Sequence, residues 1–105
     1  MKTNRLLILA ACAGVLGACA ATLPNELVNA REAYRRASNG PAAQAAPAEV
    51  HVAGVALAKA ENAFADKGDS YQARDLAYVA QRKAELAKVT ASISTEKKNQ
   101  AASKD

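Results

Sequence analysis

The sequence predicts an all-α fold: an Ala-rich antiparallel helical hairpin with an additional N-terminal helix, a three-helix arrangement. Apolar residues recur at steps of three and four along most of the chain, the period of a helix with one buried face. The stretch Asp66 to Ser70 divides two such runs and has the composition of a tight turn between helices. Composition is the third observation. Half of the 105 residues are hydrophobic, but much of that half is alanine; there is no Trp, one Phe (Phe64) and three Tyr (Tyr34, Tyr71, Tyr78). At about 25 cal/mol per Å² of apolar surface, such a core is thin, which suits one small elongated helical domain.

Met1 to Arg5 form a short basic segment, and Leu6 to Ala18 an uncharged apolar run closed by small residues. This reads as a cleaved secretory signal over residues 1–18. The apolar stretch is too short, and too rich in Ala and Gly, for a spanning helix. Leu16, Gly17, Ala18 and Cys19 resemble the lipobox of bacterial lipoproteins: a Leu, two small residues, then Cys. The resemblance implies cleavage between Ala18 and Cys19 and a diacylglyceryl group on the Cys19 thiol, with residues 19–22 as lipidated N-terminus and tether. Leu9 to Cys12 fits the short pattern too, but cleavage there would leave the apolar Ala13 to Ala18 on the mature chain. Cys12 falls within the leader, so no second cysteine remains for a disulfide or a thiol metal site. At about 0.8 kcal/mol per buried methylene, several palmitate-like chains hold a protein at a bilayer essentially permanently. Ala20, not Asp, follows the cysteine. In the lipoprotein class that implies sorting to the outer membrane, facing the periplasm of a Gram-negative envelope.

The mature chain reads as a helical domain over residues 23–98 and a polar tail over 99–105. The first helix is expected at about 24–38, with Leu23, Leu27, Ala30, Tyr34 and Ala37 as its stripe. Pro24 suits its first turn, and Asn39 or Gly40 a left-handed cap at its end. Pro41 to Pro47 reads as a loop. The second helix spans about 48–66, with Val50, Ala53, Leu57, Ala60 and Phe64 on one face. At the turn, Gly68 is the expected left-handed cap; Asp69 is the expected N-cap, with Gln72 completing a capping box. The third helix spans about 70–97, striped by Ala73, Ala77, Ala80, Ala84, Ala87 and Ala91.

So short a turn makes the second and third helices antiparallel neighbours with coiled-coil-like spacing. Folding about Gly68 should bring Phe64 near Tyr71 and Gln72, Leu57 near Val79 and Ala80, and Val50 near Leu86. By the helical rise the third helix is about 42 Å long against about 28 Å for the second, so it overhangs. The first helix could cover that overhang or remain loosely tethered.

These stretches resemble a family of small bacterial lipoproteins that carry domain of unknown function 4398. The matching residues are Ala30-Arg31, Ala46-Pro47, Gly68-Asp69, Ala73-Arg74 and Leu76-Ala77, and the resemblance runs from about Leu23 to Ala91. It implies a helical fold and brings no catalytic residues.

No constellation of catalytic or ligand residues is expected. His51 has Pro47, Ala48, Gly54 and Val55 at helical spacing, so it lacks co-ligands. Asp66, Asp69 and Asp75 cluster near the turn among Lys67 and Arg74, which suits capping and solvation and not a calcium loop. Without Lys2 and Arg5 the formal charge of +4 falls to about +2, and basic and aromatic residues do not interleave. Nucleic-acid binding is therefore not expected. Tyr71, Arg74 and Tyr78 form a candidate partner surface on one side of the third helix. The reading is a non-enzymatic envelope lipoprotein without cofactor beyond the lipid on Cys19, a helical scaffold or adaptor for a protein partner. The alternative is a peptidoglycan-associated spacer. The murein-linked lipoprotein ends in Lys, whereas here Lys104 is penultimate. A further alternative is a single tetratricopeptide-like interaction module, but one such unit cannot bury its faces alone.

Overall fold

The computed structural model describes residues 22–104, all of them helix, turn or short connection. The signal segment and lipobox (Leu16, Gly17, Ala18, Cys19) lie outside the described residues. The elements are α1 (Asn25–Asn39), α2 (Ala42–Ala45), α3 (Pro47–Lys67) and α4 (Tyr71–Ser103).

α1 begins where Pro24, in extended conformation, turns its carbonyl to the Leu27 and Val28 amides. Its end departs from expectation: neither Asn39 nor Gly40 is left-handed, and Gly40 takes φ −104. Glycine is needed there for another reason. A Cβ on Gly40 would lie 2.8 Å from the Arg36 carbonyl oxygen. The Pro41–Pro47 connector is not a plain loop either. Alanine propensity wins one turn of helix, α2, whose Ala45 amide bonds the Pro41 carbonyl at 3.0 Å. Pro47 then opens α3, where its missing N–H costs nothing.

α3 and α4 fold back about Gly68, giving the expected antiparallel hairpin, and α1 packs along it. One cluster joins Ala37, Ala42 and Ala46 to Ala53 and to Ala84, Ala87 and Ala91. A second joins Leu27 and Ala30 to Ala56, Ala60, Ala77 and Ala80, with Phe64, Leu57 and Leu76 around it. α1 therefore runs parallel to α4 and antiparallel to α3. It lies beside the paired part of the hairpin, while α2 reaches Ala91, so the overhang of α4 past Glu96 is solvated. That segment stays helical to Ser103, beyond the expected Lys97. Glu96, Lys97, Lys98, Gln100, Ala101 and Ala102 are all good helix formers.

The core is small-residue packing. Among the described residues Leu27 is the one large side chain fully buried, and apart from Pro24 the other buried apolar positions are alanines. All six stripe alanines of α4 are among them. Each alanine buries little area, but it lets backbones approach closely and makes many dispersion contacts. Leu57 packs on the cluster that contains Ala80, in line with the expected register, but the large residues of α4 face outward. Tyr71 is 85% exposed and Leu86 56% exposed, while Val50 packs on the cluster containing Ala84 and Ala87. The hairpin's alanines occupy the seam and turn the larger residues outward.

Candidate protein-interaction surface

At the turn, Gly68 takes φ 68 and ψ −148 and donates its N–H to the Phe64 carbonyl at 2.7 Å. This is not the left-handed helical well; it is a region open essentially to glycine alone. The cap of α4 is Ser70, not Asp69. Ser70 is extended at φ −119, and its Oγ accepts from the Ala73 amide at 3.1 Å. Asp69 lies one residue too early. Its carboxylate accepts from Arg74 Nε at 2.6 Å instead. With Ser70 as cap, the third helical position is Ala73, so Gln72 cannot close the box; its Oε1 accepts from Lys67 Nζ at 3.5 Å.

Tyr71, Arg74 and Tyr78 lie along one outer side of α4. The Arg74 guanidinium sits 5.7 Å from the Tyr71 ring centroid. Tyr78, half-exposed, has the Arg82 guanidinium 5.1 Å from its ring centroid and accepts from Arg82 Nε at 3.0 Å. Arg82 also donates to Glu85, which a Gln81 amide holds as well. These bonds, Gln81 first, hold the Glu85 carboxyl below its usual range. Sequence reasoning missed Arg82 and Glu85, although their spacing of four and seven from Tyr78 places them on its side of the helix.

α1 is clamped to the hairpin by a paired hydrogen bond. Arg31 donates through Nε to Glu61 Oε1 and through Nη2 to Oε2, the latter at 2.7 Å. That bond is the main cause of the depressed Glu61 carboxyl, with burial acting against it.

On the other side of the hairpin, away from α1, an open trough follows the α3–α4 seam. From one end its walls are Ala48, Glu49, Val52, Val55 and Lys59 on α3, and Leu86, Lys83, Val79 and Leu76 on α4. It continues past Ala63 to the turn, where Asp66 and Lys67 line it. Its middle reach holds about 370 Å³. His51 lines this reach and is exposed. Among the described residues no group of three or more His, Cys, Asp or Glu is placed to hold a metal ion. No described helix is long and apolar enough to cross a membrane.

The trough has solvent-facing apolar walls, the composition of a binding surface, and the aromatic–guanidinium pairs of Tyr71 and Tyr78 lie apart from it on α4. Comparison with known proteins gives one match: a family profile described as Domain of unknown function (DUF4398) fits residues 25–103. No curated protein and no solved structure matches the chain.

Proposed function

The chain belongs to the DUF4398 domain family, and from that premise we propose that it is a non-catalytic, lipid-anchored envelope protein, a helical scaffold or adaptor for a periplasmic protein partner. One observation carries the adaptor reading. The interior is filled with alanine while Val52, Val55, Val79 and Leu86, which line one trough, are 43–56% exposed. A fold that needed its large side chains for stability would bury them; contiguous exposed apolar surface is the mark of an interaction site.

The anchor rests on Leu16 to Cys19 and on Ala20, which favour acylation at Cys19 and residence at the outer membrane, facing the periplasm. The described chain suits such a tether. Leu23 and Phe64 pack on the same cluster around Leu27, so Thr22 leaves the bundle at the end where α3 turns into α4. An anchor there would hold the turn near the bilayer and point the C-terminal end of α4 away from it. The reading assigns no catalytic residue, no metal and no cofactor apart from the lipid.

Intact-mass spectrometry of protein from the native host tests the anchor: a chain beginning at acylated Cys19 supports it, and an unacylated product beginning elsewhere refutes it. Chemical crosslinking in intact envelopes tests the role. A reproducible protein partner supports the adaptor, whereas recovery of glycan fragments alone favours a peptidoglycan spacer.

A further inference from the structure

The hairpin of α3 and α4 has two grooves, and only one is filled. α1 occupies the first with Leu27, Ala30, Tyr34 and Ala37, and fixes itself through Arg31 to Glu61 on α3. The second groove is the open trough. Its floor and walls repeat the first in kind, with Ala56 and Ala63 between Val52, Val55, Leu76 and Val79. Its clamp has the opposite sign. Lys59 stands on the α3 wall and Lys83 on the α4 wall. They are the charged residues of the middle reach, which has no carboxylate in its lining; Glu49 stands at one end of the trough, and Asp66 with Lys67 at the other.

We propose that this trough is the docking site for an acidic amphipathic helix of another protein, which lies along it as α1 lies along the opposite groove. The apolar stripe of that helix covers Val52, Val55, Leu76, Val79 and Leu86, and its flanking carboxylates meet Lys59 and Lys83. From Ala48 to Asp66 the trough is about 27 Å long, enough for about five turns of helix. In the middle reach, lysines on both walls and no carboxylate disfavour a basic helix, so the charge there sets the class of partner and the apolar walls supply the affinity. The proposal rests on the adaptor reading and names the face that reading uses.

The test uses the mature native chain in phosphatidylcholine nanodiscs, with empty nanodiscs as blank. Two fluorescein-labelled peptides of about 18 residues share one Leu/Ala stripe; one is flanked by Glu, its twin by Lys. Anisotropy should show the Glu peptide binding about tenfold or more tightly than the Lys peptide, a preference that shrinks with added salt. Lys59→Glu with Lys83→Glu should invert the order. Both side chains are exposed, and an unchanged circular dichroism melt verifies that this variant is folded. Equal affinity for the two peptides, no binding of either, or a preference that the double variant leaves in place would overturn the proposal. Formation of Val79→Cys disulfide dimers in the native envelope would overturn it as well, because a second copy would then cover the trough. The lipid state is read separately by mass, so a null result on a chain with acylated Cys19 refutes the trough and leaves the anchor standing.

Discussion

The ring of Tyr34 on α1 lies directly over Gly54 on α3. A Cβ at Gly54 would meet Tyr34 Oη at 3.1 Å, Cε2 at 3.2 Å and Cζ at 3.3 Å. This glycine inside a helix is thus explained by close approach of a neighbour and not by backbone conformation. Two substitutions separate the effects. Gly54→Ala gains about 1 kcal/mol of helix propensity and needs the ring to yield by a few tenths of an ångström, so its stability should stay within about 1 kcal/mol of the parent. Gly54→Leu cannot fit beneath the ring and should cost about 1–3 kcal/mol in urea unfolding. Equal stability of the Leu variant would show that α1 does not rest on α3 here.

The alanine seam makes a related prediction on the other side of α1. Ala84 is fully buried and belongs to the cluster that joins all three long helices and α2. Ala84→Leu adds three carbons where backbones are in near contact, so the helices must part. The expected loss is about 1–3 kcal/mol, or a fall in Tm of several degrees for a domain of this size. A rise in Tm would mean that the seam holds a void, and the close packing described above would be wrong.

The period of the alanines made α4 and its buried face legible, because Ala73 through Ala91 fall on one line whatever else surrounds them. The place of α1 was not legible. Its stripe shows which face is buried but not which groove receives it, and the deciding contact, Arg31 with Glu61, joins residues thirty apart in sequence. The turn was read correctly as a turn, yet its cap was misassigned. Asp69 and Ser70 are both good N-cap residues, and which one caps depends on where the backbone first turns helical. The trough escaped the sequence altogether. Val52, Val55, Val79 and Leu86 sit off the main stripes, and the spacing within one helix does not show that two helices set them side by side.

The Arg31–Glu61 clamp gives the stability a pH dependence of definite sign. The Glu61 pKa is lower in the folded chain than its ordinary value, chiefly through the Arg31 hydrogen bond. A lowered folded pKa adds stability that is complete above the ordinary carboxylate range and is lost as pH falls through the depressed value. Both side chains are partly exposed, so the pair is worth at most about 1 kcal/mol. Glu61→Gln should therefore melt below the parent at pH 7, and the two curves should converge as the pH drops below about 4. A gap that stays constant with pH would assign the loss to packing and not to the ion pair.

The capping assignment at the start of α4 is checked by two alanine variants. Ser70→Ala removes the acceptor for the Ala73 amide and should cost about 0.5–2 kcal/mol. Asp69→Ala removes an exposed pairing with Arg74 and should leave thermal stability close to that of the parent. If Asp69→Ala proves the more damaging of the two, Asp69 is the cap after all.

Gly68 supplies the last test, since its two angles together say more than its positive φ alone. At φ 68 and ψ −148 it falls outside the left-handed helical well that Asn visits with little strain. Space is not the constraint, because a Cβ there would meet nothing within 4 Å. The cost of substitution is then backbone strain, about 1–3 kcal/mol for any residue with a side chain. Gly68→Asn should accordingly destabilise nearly as much as Gly68→Ala, and Gly68→Val, with its β-branch, at least as much as either. At an ordinary left-handed cap, Asn would instead rescue much of the loss. Thermal melts of the three variants side by side distinguish the cases, and an Asn variant as stable as the parent would place Gly68 in the left-handed well.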